Sequence, residues 1–414
     1  MNNWDSLSDF VSFTTKGITP KYVDTSSVIV LNQKCIRNNR INYSLSQFTD
    51  DSKLVPENKL VQLGDILINS TGKGTAGRCA FVDKLPSSHR LIVDSHILIL
   101  RCRSYQEAQC LNYILFSFEK KLMTFMTGSS GQSELDKIAL LNLKIRMPTG
   151  LNYKKRIAAI LSALDAKIEL NNRINAELEA MARTLYDYWF VQFDFPDENG
   201  KPYKSSGGKM IYNPILKREI PLGWKDSNIL AVADLLGGGT PTKKRPEYWN
   251  GNIPFFTPSD EDGNIFKITT GNYITEEGLS KSSTKLFDQN TVFITARGSV
   301  GNLVLTGTKM AMNQSCYALR AKKHISHTYL FFLSKELIHH LEIKSSGSVF
   351  DSIVSTDVEF TNLAIPDSTL IKKFAAIVEP QFELIFNNTC ETQHLNQLRD
   401  WLLPMLMNGQ IRVQ

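Results

Sequence analysis

The chain is 414 residues long, 42% hydrophobic and 21% charged, which suits two or three folded domains and excludes a disordered tail. Its formal net charge of +6 is mildly basic, compatible with nucleic acid but far short of a histone-like charge. No apolar run reaches transmembrane length, the start MNNWDSLSDF has no leader pattern, and the six scattered cysteines form no C-x-x-C pair; membrane, disulfide-scaffold and zinc-knuckle readings are disfavoured, and a reducing, cytoplasmic setting is expected.

In chain order, short apolar runs at Val28 to Leu31, Ile66 to Asn69 and Leu91 to Leu100, separated by Gly, Asn and Ser, predict β-strands. A helical segment follows near Glu107 to Met126. From Tyr153 to about Tyr188 there is neither proline nor glycine. Here Ile157, Leu161, Leu164, Ile168, Asn171, Ile174, Leu178, Met181 and Leu185 recur every three or four residues, which predicts an amphipathic helix about 50 Å long. Asp197 to Leu222 is rich in Gly, Pro, Lys and Ser and reads as a linker with a short hairpin. Strands are expected again at Ile253 to Phe256, Thr291 to Thr295 and Ser315 to Leu319, then a helix at His327 to Glu342. A second helical stripe, Phe374, Val378, Phe382, Ile385, Leu395, Leu398 and Leu402, runs to Leu403, with Pro380 interrupting it near its start. A helix longer than a domain is wide, carrying one apolar stripe, needs a partner, and the obvious partner is its copy. Asn171, Asn172, Asn387 and Asn388 lie near that seam and are candidates for setting its register.

The chain repeats itself. Trp4 before Gly17-Ile-Thr-Pro20 returns as Trp224 before Gly239-Thr-Pro241. Ile66-Leu-Ile68 leading into Ser70 to Gly77 returns as Val292-Phe-Ile294 leading into Ala296 to Gly301. Thr127-Gly-Ser129, Asn142-Leu-Lys-Ile145 and Lys155 to Ile160 return as Ser346-Gly-Ser348, Asn362-Leu-Ala-Ile365 and Lys372 to Ile377. Five landmarks in the same order, about 220 residues apart, indicate a tandem duplication of one unit.

Catalytic tools are missing from the pattern. Ser70-Thr-Gly-Lys-Gly-Thr75 fails as a phosphate loop, because Leu67 stands where a glycine is needed and Gly74 where a Ser or Thr is needed. Asn213-Pro-Ile-Leu216 lacks the second proline and the aromatic residue of amino-group methylating enzymes. Gly237-Gly-Gly239 lacks the context of a dinucleotide fingerprint. No D…E-x-K nuclease cluster occurs, and His324 with His327 has no cysteine at ligand distance. The sequence reads as that of a binder.

What it has to bind with are basic and polar loops, the inventory that contacts phosphates and base edges. In the second half these are Lys243, Lys244, Arg245, Thr257, Ser259, Asp260, Lys281, Ser282, Ser283, Lys285, Arg297 and Ser299. In the first half they are Lys34, Arg37, Asn38, Arg40, Lys73, Thr75 and Arg78. Arg297 is the strongest single candidate, since its turn follows a strand and echoes the Lys73 turn.

Taken together, Gly239-Thr-Pro241, Tyr248-Trp249, Ile253 to Asp260, Ala296-Arg-Gly-Ser299, Met312-Asn-Gln314, Ser346-Gly-Ser348, Lys372 to Ile377 and the ending Leu402 to Gln410 give the chain a resemblance along nearly its whole length. Leu178 to Phe190 and Gln192-Phe-Asp-Phe195 carry it in the first half. It resembles the specificity subunit of type I restriction–modification systems. The resemblance implies an α+β fold: two mostly β target recognition domains separated by two long antiparallel coiled-coil helices, as a pseudo-twofold tandem duplication. The expected domains are 1–150 and 222–368 for recognition, 151–196 and 369–414 for the spacer helices, and 197–221 for the linker. Each recognition domain is expected to read one half of a bipartite, asymmetric sequence in double-stranded DNA. Ile157, Leu161, Leu164, Ile168, Leu178, Phe374, Val378, Phe382, Ile385 and Leu398 are expected at the helix pairing or at a subunit interface. The implied partners are two modification subunits, which methylate adenine, and two restriction subunits, which form an ATP-dependent endonuclease. S-adenosylmethionine, ATP and Mg are expected in those partners; no cofactor, metal or catalytic residue is expected in this chain. The alternative is a non-catalytic coiled-coil scaffold without DNA specificity. The first half departs from the pattern, having no counterpart of the basic-aromatic stretch Lys243 to Trp249.

Overall fold

The computed structural model describes residues 4–52, 54–72, 74–128, 133–344, 352–407 and 410–411; Lys73, Ser129 and Ser346 to Ser348 lie outside the described residues. The chain divides into two compact units, the first made of Met1–Ile168 with His394–Gln414, the second of Glu169–Gln393. The division falls inside both long helices.

Unit 1 is built on an antiparallel sheet in the order Val11–Lys16, Ile97–Cys102, Ile66–Asn69, Cys79–Phe81. Because side chains alternate along a strand, Ile66, Ile68, Leu98 and Leu100 face the helix Tyr105–Ser117, whereas Leu67, Ile97 and Ile99 face the other way. That second face packs on Leu31, Leu91 and Val93 of a second sheet, in which Val28–Leu31 runs parallel to Arg90–Val93 and antiparallel to Gln47–Thr49. Burial on both faces explains why these strands read as unbroken apolar runs. The single run expected from Leu91 to Leu100 is two strands belonging to different sheets. It breaks at Asp94, whose carboxylate accepts the His96 amide at 2.9 Å and turns the chain.

Unit 2 repeats the plan. Its main sheet runs Ala233–Gly237, Cys316–Ala321, Val292–Thr295, Leu303–Thr306, Phe266–Lys267, antiparallel except for the last pair. Val292, Ile294, Leu305 and Leu319 pack with Tyr329 and Phe332 of the helix His327–Lys344; Phe293, Val304 and Ala318 pack with Phe256 and Met312 of a three-stranded sheet. The segment expected as a linker carries an antiparallel hairpin, Met210–Asn213 with Arg218–Pro221.

The two long helices are Leu151–Tyr186 and Ser368–Met407. In unit 1 they run antiparallel, with the Tyr153 hydroxyl donating to the Ile411 carbonyl at 2.8 Å and Arg399 Nη1 to Asp165 Oδ1 at 2.9 Å. In unit 2 they also run antiparallel, with Asn171 Nδ2 donating to Glu391 Oε2 at 2.8 Å and Asn388 Nδ2 to Asn175 Oδ1 at 3.0 Å. With the two β-rich parts, this is the α+β architecture expected from the sequence. Ile157, Leu161, Ile168, Phe374, Val378, Phe382 and Ile385 are buried, and Leu164 and Leu178 half-buried.

Three details differ from expectation. Asn172 and Asn387 are exposed; Asn175, one helical turn from Asn171, is the residue that meets Asn388. Leu398 is 41% exposed and outside the helix pairing, because Arg399, at 6%, takes the buried position beside it; of its two expected places this leaves a subunit interface. The helix also continues through Pro380, which removes one backbone bond; the buried Val378 and Phe382 on either side hold it in register. No helix among the described residues is long and apolar enough to cross a membrane.

Candidate nucleic-acid interface

Strand register gathers the loops of unit 2 at one end of its sheets. Thr295 lies opposite Cys316, Gly237 opposite Tyr317, and Phe256 beside Met312. The connections after Gly237, Phe256 and Thr295, and the turn before Cys316, therefore leave from the same end. Thr284 joins them, its hydroxyl donating to the Met312 carbonyl at 2.8 Å. The approach is close: a Cβ on Gly238 would lie 2.1 Å from the Asn313 carbonyl oxygen, and one on Gly239 2.1 Å from Ser283 Oγ. Gly238→Ala is therefore expected to push the first loop off the Asn313 turn and destabilise unit 2 by about 1–3 kcal/mol. Chemical denaturation checks this; a variant as stable as the parent would mean the loops are not packed as described.

The expected contact residues fall into two groups. Lys243, Lys244, Lys281, Lys285 and Arg297 are exposed, and their side chains make no hydrogen bond or ion pair among the described residues. Ser299 is also exposed, with its carbonyl accepting from Thr295 Oγ1. The others hold the loops in shape. Asp260 Oδ2 accepts from the Thr257 amide at 2.8 Å and hydroxyl at 2.7 Å, while Oδ1 accepts from the Gly271 amide at 2.7 Å. Ser259 Oγ lies 2.8 Å from Thr257 Oγ1. Arg245 is 3.7 Å from Glu247 and lies over the Tyr248 ring, and Trp249 Nε1 donates to the Thr242 carbonyl at 3.2 Å.

Unit 1 repeats the main hydrogen bonds of this frame. The Ser70 amide donates to the His96 carbonyl as Ala296 does to Ser315, both at 2.8 Å. Gly77 donates to Asn69 as Gly301 does to Thr295, both at 2.9 Å, and Leu135 to Ser70 as Ile353 does to Ala296. The His96 amide donates to Asp94 Oδ1 as Ser315 does to Asn313 Oδ1. A Cβ on Gly17 would lie 2.1 Å from the Asp94 carbonyl oxygen, which makes Gly17 the counterpart of Gly238. The duplication thus extends to individual hydrogen bonds of these loops.

On this frame Lys34, Arg37 and Asn38 are exposed. Asn38 and Asn39 both have left-handed backbone, at φ 52° and 62°, and form the two-residue turn joining Ile36–Arg37 to Arg40–Ile41. Thr75 is turned inward, its hydroxyl donating to the Thr71 carbonyl at 3.1 Å, and Arg78 lies 3.7 Å from Glu119. Burial pushes the Asp94 carboxyl up from its ordinary range, while the His96 amide pulls it partly back. The sequence reading missed Gln33, Thr71 and His96, which are hydrogen-bonded across three loops, and Thr240 with Gln314, which form a pair in unit 2. A signal was present: Asp94-Ser-His96 and Asn313-Gln-Ser315 stand at equivalent places, each an Asx turn before a strand.

Among the described residues no group of three or more His, Cys, Asp or Glu side chains is placed to hold a metal ion. The family described as Type I restriction modification DNA specificity domain matches twice, over residues 2–180 and 221–398. Among curated proteins, the chain is similar to the type I restriction enzyme MjaIX specificity subunit of Methanocaldococcus jannaschii, 26% identical over 314 residues, covering 73% of this chain and 69% of that protein. It is also similar to the HindI specificity subunit of Haemophilus influenzae, 23% identical over 409 residues, covering 85% and 88% respectively. Among solved structures, the type I restriction–modification S subunit from M. genitalium shares the fold at a TM-score of 0.54 and 14% identity, covering 98% of this chain and 96% of that one.

Proposed function

The chain belongs to the type I restriction–modification DNA specificity family, and from that premise we propose that it is the specificity subunit of such a complex, each unit reading one half of a bipartite DNA target. The observation that carries this reading is the repeated loop frame with different side chains: Arg297, Lys281 and Lys285 on one, Lys34, Arg37 and Asn38 on the other. An identical frame with unlike tips would recognise two unlike short tracts, so the target is asymmetric.

In this reading residues 1–150 and 222–368 are the target recognition domains, 197–221 links them, and the helices of 151–196 and 369–414 carry two modification subunits. Leu398 and Trp401, 41% and 55% exposed, are apolar surface that such a partner would cover. S-adenosylmethionine, ATP and Mg belong to the modification and restriction partners, and this chain supplies recognition rather than chemistry. The test is selection of bound duplexes from a randomised pool by the full chain co-purified with its modification subunits. Two constant tracts separated by a gap of fixed length are expected; one contiguous tract, or no enrichment, would overturn the proposal.

A further inference from the structure

Gln33, Thr71 and His96 come from three loops of unit 1 and meet in one hydrogen-bonded line. Gln33 Nε2 donates to the Thr71 carbonyl and, at 2.8 Å, to Thr71 Oγ1, which lies 2.9 Å from His96 Nδ1. An amide nitrogen only donates, so one lone pair of the Thr71 oxygen receives from Gln33, which leaves the hydroxyl proton free to go to His96 Nδ1. With Nδ1 accepting, the neutral ring carries its proton on Nε2. His96 is exposed, whereas Gln33 and Thr71 are half-buried, so the line ends in an imidazole whose Nε2 edge is oriented at the surface. The backbone under the ring is fixed as well, by the His96 amide on Asp94 Oδ1 and the Ser70 amide on the His96 carbonyl.

Unit 2 separates the frame from its tip. Ser315 occupies the place of His96 and makes both backbone bonds, with no imidazole. The ring is therefore not needed to build the turn. An exposed side chain that the frame does not require, yet that two other loops hold in one orientation, is arranged to meet something outside the chain.

We propose that His96 reads a base in the half-site of unit 1. Its Nε2–H donates to an acceptor on a major-groove base edge: guanine O6 or N7, adenine N7, or thymine O4. Thr71 and Gln33 are positioning residues that fix the tautomer and aim the ring. This assignment rests on the reading of unit 1 as a DNA-recognition unit.

The experiment is the same duplex selection, run with the parent complex, with His96→Ala and with Thr71→Val. His96→Ala is expected to make one base position of one tract degenerate, leave the other tract intact, and weaken binding to the parent site about tenfold. Thr71→Val keeps the ring and removes its anchor, so the same position should loosen to a smaller degree. A parent complex that selects a two-part site, with every position intact in His96→Ala, overturns the assignment and leaves the bipartite reading standing. Equal weakening on all sequences, with a shallower salt dependence, would make His96 a phosphate contact and likewise overturn it. Failure of the parent complex to select a two-part site removes the bipartite reading and this assignment together.

Discussion

Replacing Arg399 with methionine is expected to destabilise unit 1 by about 3–5 kcal/mol. The guanidinium is 6% exposed at the residue level and sits between the two long helices, its Nη1 2.9 Å from Asp165 Oδ1. Asp165, 8% exposed, uses its other oxygen to accept from the Tyr113 hydroxyl at 2.8 Å. The guanidinium also lies 4.8 Å from the centre of the Phe116 ring. Methionine fills the volume but leaves the Asp165 carboxylate buried with one neutral donor. The cost comes from that stranded charge, since a buried pair gains little net energy over an apolar replacement. Arg399→Met with Asp165→Leu should therefore recover most of the loss. Urea denaturation of the two single variants and the double completes the cycle. A double variant no more stable than Arg399→Met would show that the pair is not coupled as described.

This buried pair also shows where sequence reading stops. The first helix was legible because Ile157, Leu161 and Ile168 form a regular apolar stripe, and they are buried. Along the second helix the same search picks Leu398, since periodicity weighs side chains by polarity. The buried positions there include Asn388, which was legible as a polar residue near the seam, and Arg399, which was not; their polar groups are satisfied by Asn175 and Asp165 on the facing helix. A polar seam is invisible to an apolar template, which shifts the stripe by one residue at Leu398. The strands were legible in position; the Asx turn at Asp94 marks where the run breaks, but only tertiary packing assigns its two halves to different sheets. In the loops proposed to meet DNA, residue type picked out Arg297, Lys243 and Lys281 as readily as Asp260 and Thr75. It could not tell exposed tips from groups that hold the loop, because that depends on partners such as the Gly271 amide and the Thr71 carbonyl.

Replacing Lys243, Lys244, Lys281 and Lys285 together with alanine is expected to weaken DNA binding about 100-fold or more at low salt, on cognate and scrambled duplexes alike. All four are exposed and make no ion pair among the described residues; Lys243 and Lys244 sit on the loop after Gly237, and Lys281 and Lys285 on the segment whose Ser283 and Thr284 pack beside that loop. A flexible ammonium on a surface loop suits a phosphate better than a base edge, because it acts as a point charge without the planar fork that matches guanine. If each lysine displaces one condensed cation, removing four should lower the slope of log affinity against log salt by about 3–4. The ratio of cognate to scrambled affinity should barely change, because base readers such as the proposed His96 are untouched. Stability should also hold, since no buried group loses a partner. Titrations at several salt concentrations, on both duplexes, separate the possible roles. An unchanged slope would place the lysines off the DNA, whereas a collapse of the ratio with the slope preserved would make them readers of sequence.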